Sequence, residues 1–374
     1  MSKMASRPKL ILLAYSEALR RVKDFKSYMI REYGRLASAY EISSHFGISK
    51  KDLSNITRKI ASLNKSIICI SLHTEPSHIL RPNAISGSIA NIYGLSNYCI
   101  YQGNRRIPIL WSDTKWADNF SKYVIDIIRQ VIRNLSNVFI HGGDIENKLK
   151  AQCEILVEIH PPYFRIPQKL INSVSCPYPY FDLEKSKAIN YFLDIYEDFE
   201  RKLKDLFQRY VKEENIDIKY KYIHICLENR ATWRWIDGEF LISDFNDIQN
   251  LINAIQQRNT NLKLVIDLSQ LKTAMKDLHG TGWFRQYMHG IQVLFNATNL
   301  RYIKALHIYG YTTGRVKRAH GPDVVGFFEG SNNLNNILST LSALLQGKSL
   351  YILPEIFRDA KSCLNIISRY FAIY

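Results

Sequence analysis

Long apolar runs are missing from this 374-residue chain. None approaches the roughly 20 residues that cross a bilayer, which excludes a membrane-spanning helix. Cysteine pairs are missing too. Cys69, Cys99, Cys153, Cys176, Cys226 and Cys363 are scattered, with no CxxC spacing. That argues against a disulfide frame or a thiolate zinc site and fits reduced, buried cysteines in a cytoplasmic protein. No small-residue cleavage site follows the basic N-terminus, so no signal peptide is expected. Acid is scarce: 34 Asp and Glu face 50 Lys and Arg, for a net charge of +16. Residues 1–60 hold 13 basic against 5 acidic residues, and no acid lies between Arg301 and Arg318. Such a surplus points to a polyanionic partner, nucleic acid before others, and gives no reason to expect a small neutral one.

What is present is ample apolar material, 46% of the residues, arranged in short runs. Eight of them read as strands: Lys9–Ala14, Ser38–Ser43, Ile67–Leu72, Val138–His141, Tyr222–Glu228, Leu262–Asp267, Ile303–Ile308 and Leu350–Glu355. They are mostly continuous rather than alternating, as parallel strands buried on both faces are. Helical periodicity fills Lys51–Leu63, Trp116–Leu135, Phe245–Gln256, Leu334–Leu345 and Ala360–Phe371. Eight alternating β and α units predict one (β/α)8 barrel spanning residues 1–374. Residues 74–115 and 144–219 are too long for ordinary connections and read as insertions after strands three and four. Ala39–Leu63 also fits a helix-turn-helix, with Gly47, Ile48 and Ser49 as its turn. The barrel is preferred because its strand count then reaches eight.

The acids and histidines fall in register with the strands. His73, His141, Glu228, Asp267, His307 and Glu355 stand at or near the C-terminal ends of strands three to eight. In a barrel these ends converge on the face that carries active sites. A single strand-end His or Asp is ordinarily a hydrogen-bonding or capping residue. Six in consecutive register predict a metal centre, since converging carboxylates repel without cations. Imidazole with carboxylate suits zinc, manganese or iron. Among the remaining histidines His320 is the best further candidate, while His160 and His78 fall in the insertions. Arg105, Arg106, Arg230, Arg234, Arg315, Lys317 and Arg318 lie in strand-end loops around the proposed centre and are expected to bind DNA.

With these motifs in hand, the chain resembles the xylose isomerase-like barrels, and within them endonuclease IV and the UV-damage endonucleases. SLH, IHGG, LEN, IDL, LHI, AHG and PE follow that pattern in order from the third strand to the end. LENRATWRW and YEISSHF are similar to the UV-damage enzymes. The resemblance implies a DNA repair-type endonuclease, cleaving phosphodiesters at abasic or damaged sites. It implies one ion on His73 and His141, a second on Asp267, His307 and Glu355, and Glu228 as the bridge. Glu228 and Glu355 would be central to catalysis, His320 would be a further ligand, and the cofactors would be zinc or manganese, about two per chain. A monomer is expected. The chain departs from the pattern at Gln270, where a histidine is usual, at Arg318, where a third-metal ligand is usual, and at Ala305, where the UV-damage enzymes have lysine. The alternative is a single-metal sugar isomerase or epimerase of the same superfamily, for which His73 and His141 would be superfluous. A third possibility is a non-catalytic DNA-binding protein that uses Ala39–Leu63.

Overall fold

The computed structural model describes residues 7–15, 23–63, 67–74, 87–102, 105–136, 153–167, 170, 174, 178–180, 182–216, 218–231, 238–313 and 318–374. In chain order its strands are β1 (Lys9–Tyr15), β2 (Ala39–Ser43), β3 (Cys69–His73), β4 (Cys99–Gln102), β5 (Arg105–Pro108), β6 (Glu154–Ile159), β7 (Tyr163–Arg165), β8 (Ile223–Glu228), β9 (Glu239–Phe240), β10 (Lys263–Asp267), β11 (Ile303–Ile308), β12 (Ser349–Pro354) and β13 (Ala372–Ile373). Eight of these pair in parallel in the order β1-β2-β3-β6-β8-β10-β11-β12, and β12 returns to β1 through Lys9–Ser349 to Leu12–Ile352. The sheet is therefore closed, a (β/α)8 barrel with no free edge between its first and last strands. β4 with β5 and β7 with β9 form small antiparallel ribbons outside it, and β13 adds to the start of β1.

Side-chain alternation divides the core in two. Leu13, Ala39, Cys69, Leu156, Cys226, Val265, Ala305 and Leu353 point inward and fill the barrel. Their neighbours Leu12, Ile42, Ile70, Val157, Leu227, Ile266, Leu306 and Ile352 point outward against the helices. The longest helices, Thr114–Leu135 and Lys185–Glu214, pack on each other and close around Trp111. Its ring centroid lies 4.7 Å from Trp116, 5.2 Å from Phe192 and 5.5 Å from Phe199. Local chemistry sets the helix ends. Asp113 caps the first of these helices by accepting from Trp116 N, and Asp244 with Asp247 forms a reciprocal capping box on Phe245–Arg258.

Two expectations change. The fourth barrel strand is Glu154–Ile159, not Val138–His141. It pairs in full with β3 on one side and β8 on the other, so the fourth place is filled. Residues 138–141 lie outside the described residues. Consequently the stretch 144–219 read as an insertion contains a barrel strand and the helix Lys185–Glu214 that follows it. The preferred reading of residues 39–63 holds: Ala39–Ser43 is a strand between β1 and β3, which excludes the helix-turn-helix alternative.

Candidate metal centre

Inward parity carries charged side chains as well as apolar ones. His73 closes β3, Glu228 closes β8, Asp267 closes β10, His307 lies on β11, and Glu355 follows β12. Glu41 on β2 and Glu158 on β6 share this inward parity, and so does His160, one residue beyond β6. Apart from His73, all of them are buried.

Three groups of possible ligands result. In the first, His160 Nε2 lies 3.1 Å from His73 Nε2 and 2.8 Å from Glu228 Oε2, with His73 3.3 Å from that same oxygen. In the second, Glu228, His307 and Glu355 converge, His307 Nδ1 lying 3.5 Å from Glu228 Oε1. In the third, deeper in the barrel, His307 Nε2 lies 3.4 Å from Glu158 Oε2 and 3.6 Å from Glu41 Oε2. Atoms bound to one ion at about 2.1 Å lie roughly 3.4 Å apart in a tetrahedron, so these separations suit shared cations.

The surroundings hold the ligands in place. Trp111 Nε1 donates to the His160 carbonyl at 2.8 Å, and Tyr180 Oη donates to the Trp111 carbonyl at 2.7 Å, so the aromatic cluster outside the barrel fixes the His160 backbone. Thr74 N and Oγ1 both donate to the Glu158 carbonyl and tie the end of β3 to β6. The Asn229 side chain accepts from Asp267 N at 2.9 Å and donates to the Asp267 carbonyl at 3.2 Å, which locks β8 to β10. Asp267 Oδ1 caps the next helix through Ser269 N and Gln270 N. Its Oδ2 is buried without a hydrogen-bond donor among the described residues, as is Glu41 Oε1. Buried carboxylate oxygens without a donor are the kind of group that a cation would satisfy.

Charge sharpens the same point. Glu41, Glu158, Glu228, Asp267 and Glu355 bring five buried carboxyl groups together, and the nearest described guanidinium is Arg230, its Nη1 3.8 Å from Glu228 Oε2. Burial and the Glu228 charge raise the Asp267 carboxyl well above its usual range, and burial with the Glu158 charge does the same to Glu41. Burial opposes ionisation of Glu228 too, but hydrogen bonds from His160, His307 and His73 outweigh it and hold that carboxyl well below the usual range. Against burial, His320 lowers Glu355 to about 2, its Nδ1 lying 3.3 Å from Glu355 Oε2. Burial, with Arg230 next in effect, depresses His160 to about 3, leaving the ring neutral. Five carboxyl groups crowded into a buried volume repel one another when ionised, a setting that a divalent cation would relieve.

Of the ligands expected from the sequence, His73, Glu228, His307 and Glu355 fall in the first two groups; Asp267 feels the charges of Glu228 and Glu355 but belongs to none of the three, and His320 lies beside Glu355. His141 lies outside the described residues, and the place expected for it at the end of strand four is taken by His160. Glu41 and Glu158 were missed as well. Gln270, at the usual histidine position, accepts from Ala231 N at 3.0 Å and so braces the loop after β8. The Arg318 backbone joins Thr312, N to Oγ1 at 3.0 Å, and its side chain is exposed. Among the basic residues expected to hold DNA, Arg234, Arg315 and Lys317 lie outside the described residues, as does the Arg105 side chain. Arg106 stacks over Tyr101 on the β4–β5 ribbon, and Arg230 lies within the centre itself.

No known sequence family and no curated protein matches this chain. Solved structures similar to it include a D-tagatose 3-epimerase-like protein, 13% identical over 96% of this chain and 97% of that one, with a TM-score of 0.47. Others are an IOLI protein with a binding zinc atom (11% identity, 97% and 99% covered, TM-score 0.43) and AsfvAP:AG (10% identity, 96% and 96% covered, TM-score 0.42). At such identities and TM-scores the likeness carries no argument; the fold rests on the closed parallel sheet, and the chemistry on the side chains described above.

Proposed function

We propose that this protein is a two-metal phosphodiester hydrolase acting on DNA at abasic or damaged sites. The observation that carries this is the position of Glu228, whose Oε2 faces His73 and His160 while Oε1 faces His307. A carboxylate that turns its two oxygens to two ligand groups is placed to bridge two ions. His73, His160 and Glu228 would hold one, and Glu228, Asp267, His307 and Glu355 the other. Divalent ions held there would supply the charge that in-line attack of water on a phosphodiester requires. The chain's own groups do the rest. Arg230 presents a positive charge beside Glu228 for a phosphate oxygen. Glu355, held ionised by His320, serves as a ligand rather than as a proton acceptor. The net charge of +16 favours a polyanion at the barrel mouth.

A single-metal sugar isomerase would use Glu228, Asp267, His307 and Glu355 but has no task for the paired imidazoles of His73 and His160. The test is incubation of zinc- or manganese-loaded protein with duplex DNA containing one abasic site, beside a ketohexose. Strand cleavage at the site, with binding that weakens steeply as salt rises, is expected. Sugar epimerisation without cleavage would overturn the proposal.

A further inference from the structure

The loop after β8 is tied down at three consecutive residues. The Asn229 side chain pairs with the Asp267 backbone in both directions. Arg230 N donates to the Ile242 carbonyl at 3.0 Å. Ala231 N donates to Gln270 Oε1 at 3.0 Å, and Gln270, in the first turn of the helix Leu268–His279, donates its own N–H to Asp267 Oδ1 at 2.9 Å. From this loop the Arg230 side chain, 14% exposed, reaches the centre, where its Nη1 lies 3.8 Å from Glu228 Oε2. Glu355, Tyr309 and Asp267 stand within electrostatic reach of the same guanidinium. A separation of 3.8 Å is too long for a hydrogen bond, so the braced backbone does more to aim the side chain than that contact does. A guanidinium is always charged, and its planar fork of donors matches the oxygens of a phosphate, which a neutral sugar lacks.

We propose that Gln270 is a positioning residue for substrate charge: by accepting from Ala231 N it holds the loop after β8 so that Arg230 stays beside Glu228 and selects a phosphodiester over a neutral sugar. This rests on the phosphodiester reading given under Proposed function, and it adds the residue that keeps Arg230 in place. Gln270 touches no substrate, so its effect on binding passes through the Arg230 guanidinium.

The experiment is a double-mutant cycle on duplex DNA containing one abasic site. Zinc-loaded proteins give KM and kcat. Fluorescence anisotropy of the same duplex in EDTA, where the zinc is withdrawn, gives the salt dependence of binding. Arg230→Met should raise KM by roughly 10- to 100-fold, since it removes a charged donor. Gln270→Leu should raise KM roughly 10-fold, with kcat within about threefold and metal per chain unchanged. Placed on Arg230→Met, Gln270→Leu should change KM by less than about twofold, because residues that act as one unit are not additive. Each single variant should lower the slope of log affinity against log salt by about one, the mark of one lost phosphate contact. Effects on KM that multiply, or slopes equal to that of the parent, would overturn the inference. So would a Gln270→Leu protein that loses metal while KM stays put, since the brace would then serve Asp267 alone. Gln270→Asn, whose oxygen falls one carbon short of Ala231 N, runs the same cycle if the leucine variant does not fold. A parent that cleaves no abasic DNA overturns the phosphodiester reading, and this inference with it. Cleavage by the parent, with KM unchanged in Gln270→Leu, overturns this inference alone.

Discussion

Glu228 is the residue on which most of the chemistry converges. Changing it to Gln preserves shape and removes the charge that both ligand groups use. Glu228→Gln should therefore lose affinity for both ions and reduce DNA cleavage to under roughly 1% of the parent. His160→Ala should behave differently, because His160 touches only the group with His73. One ion should be lost and the second retained, measured as metal per chain after dialysis. Retention of both ions by His160→Ala would remove His160 from the centre. Most of these side chains were legible one by one from the sequence, since each stands at the end of an apolar run. His160 was hidden because ILVEIH falls in the stretch 144–219 that reads as an insertion, after VFIH, which also ends in histidine, had filled the place of the fourth strand. Glu158 also interrupts that run, and an inward carboxylate looks unlike core until the metal centre above it is known.

At the scale of elements, the fourth strand also organises the opposite end of the barrel. Glu154 opens β6 and meets His224 at 3.3 Å, Lys304 at 3.3 Å and the Tyr351 hydroxyl at 2.9 Å. These come from β8, β11 and β12, so one carboxylate draws together four strands. Burial works against its ionisation, but His224, Lys304 and Tyr351 prevail and bring it to about 2, against an ordinary value of 4.5. A carboxyl depressed on folding stabilises the folded state above the ordinary value, and that stability is lost as pH falls from 4.5 towards 2. Glu154→Gln should therefore cost about 2 kcal/mol near neutral pH, a figure reduced for partial exposure. The difference from the parent should shrink through that acidic window in denaturant unfolding curves. A gap that stays constant from pH 7 to pH 3 would show that Glu154 acts by packing rather than by charge. Neither this cluster nor the Glu41–Glu158–His307 group could be read from the sequence. Both are contacts across the barrel, created by closure of the sheet, and no spacing along the chain encodes which strands face each other.

For the whole molecule, the eightfold β and α alternation was legible because strands buried on both faces are continuous apolar runs, and seven of the eight predicted runs overlap the observed strands. The closed sheet then does what the alternation alone cannot: it carries five carboxyl groups and three imidazoles into one buried volume with few compensating charges. The central claim is that this volume is built for two divalent ions bridged by Glu228. Its most direct test is the metal content of the purified chain, by inductively coupled plasma mass spectrometry after equilibration with zinc or manganese and removal of loose ions. About two ions per chain, falling below one in Glu228→Gln, is the result expected. One ion per chain that survives in His73→Ala and His160→Ala, or none at all, would contradict it.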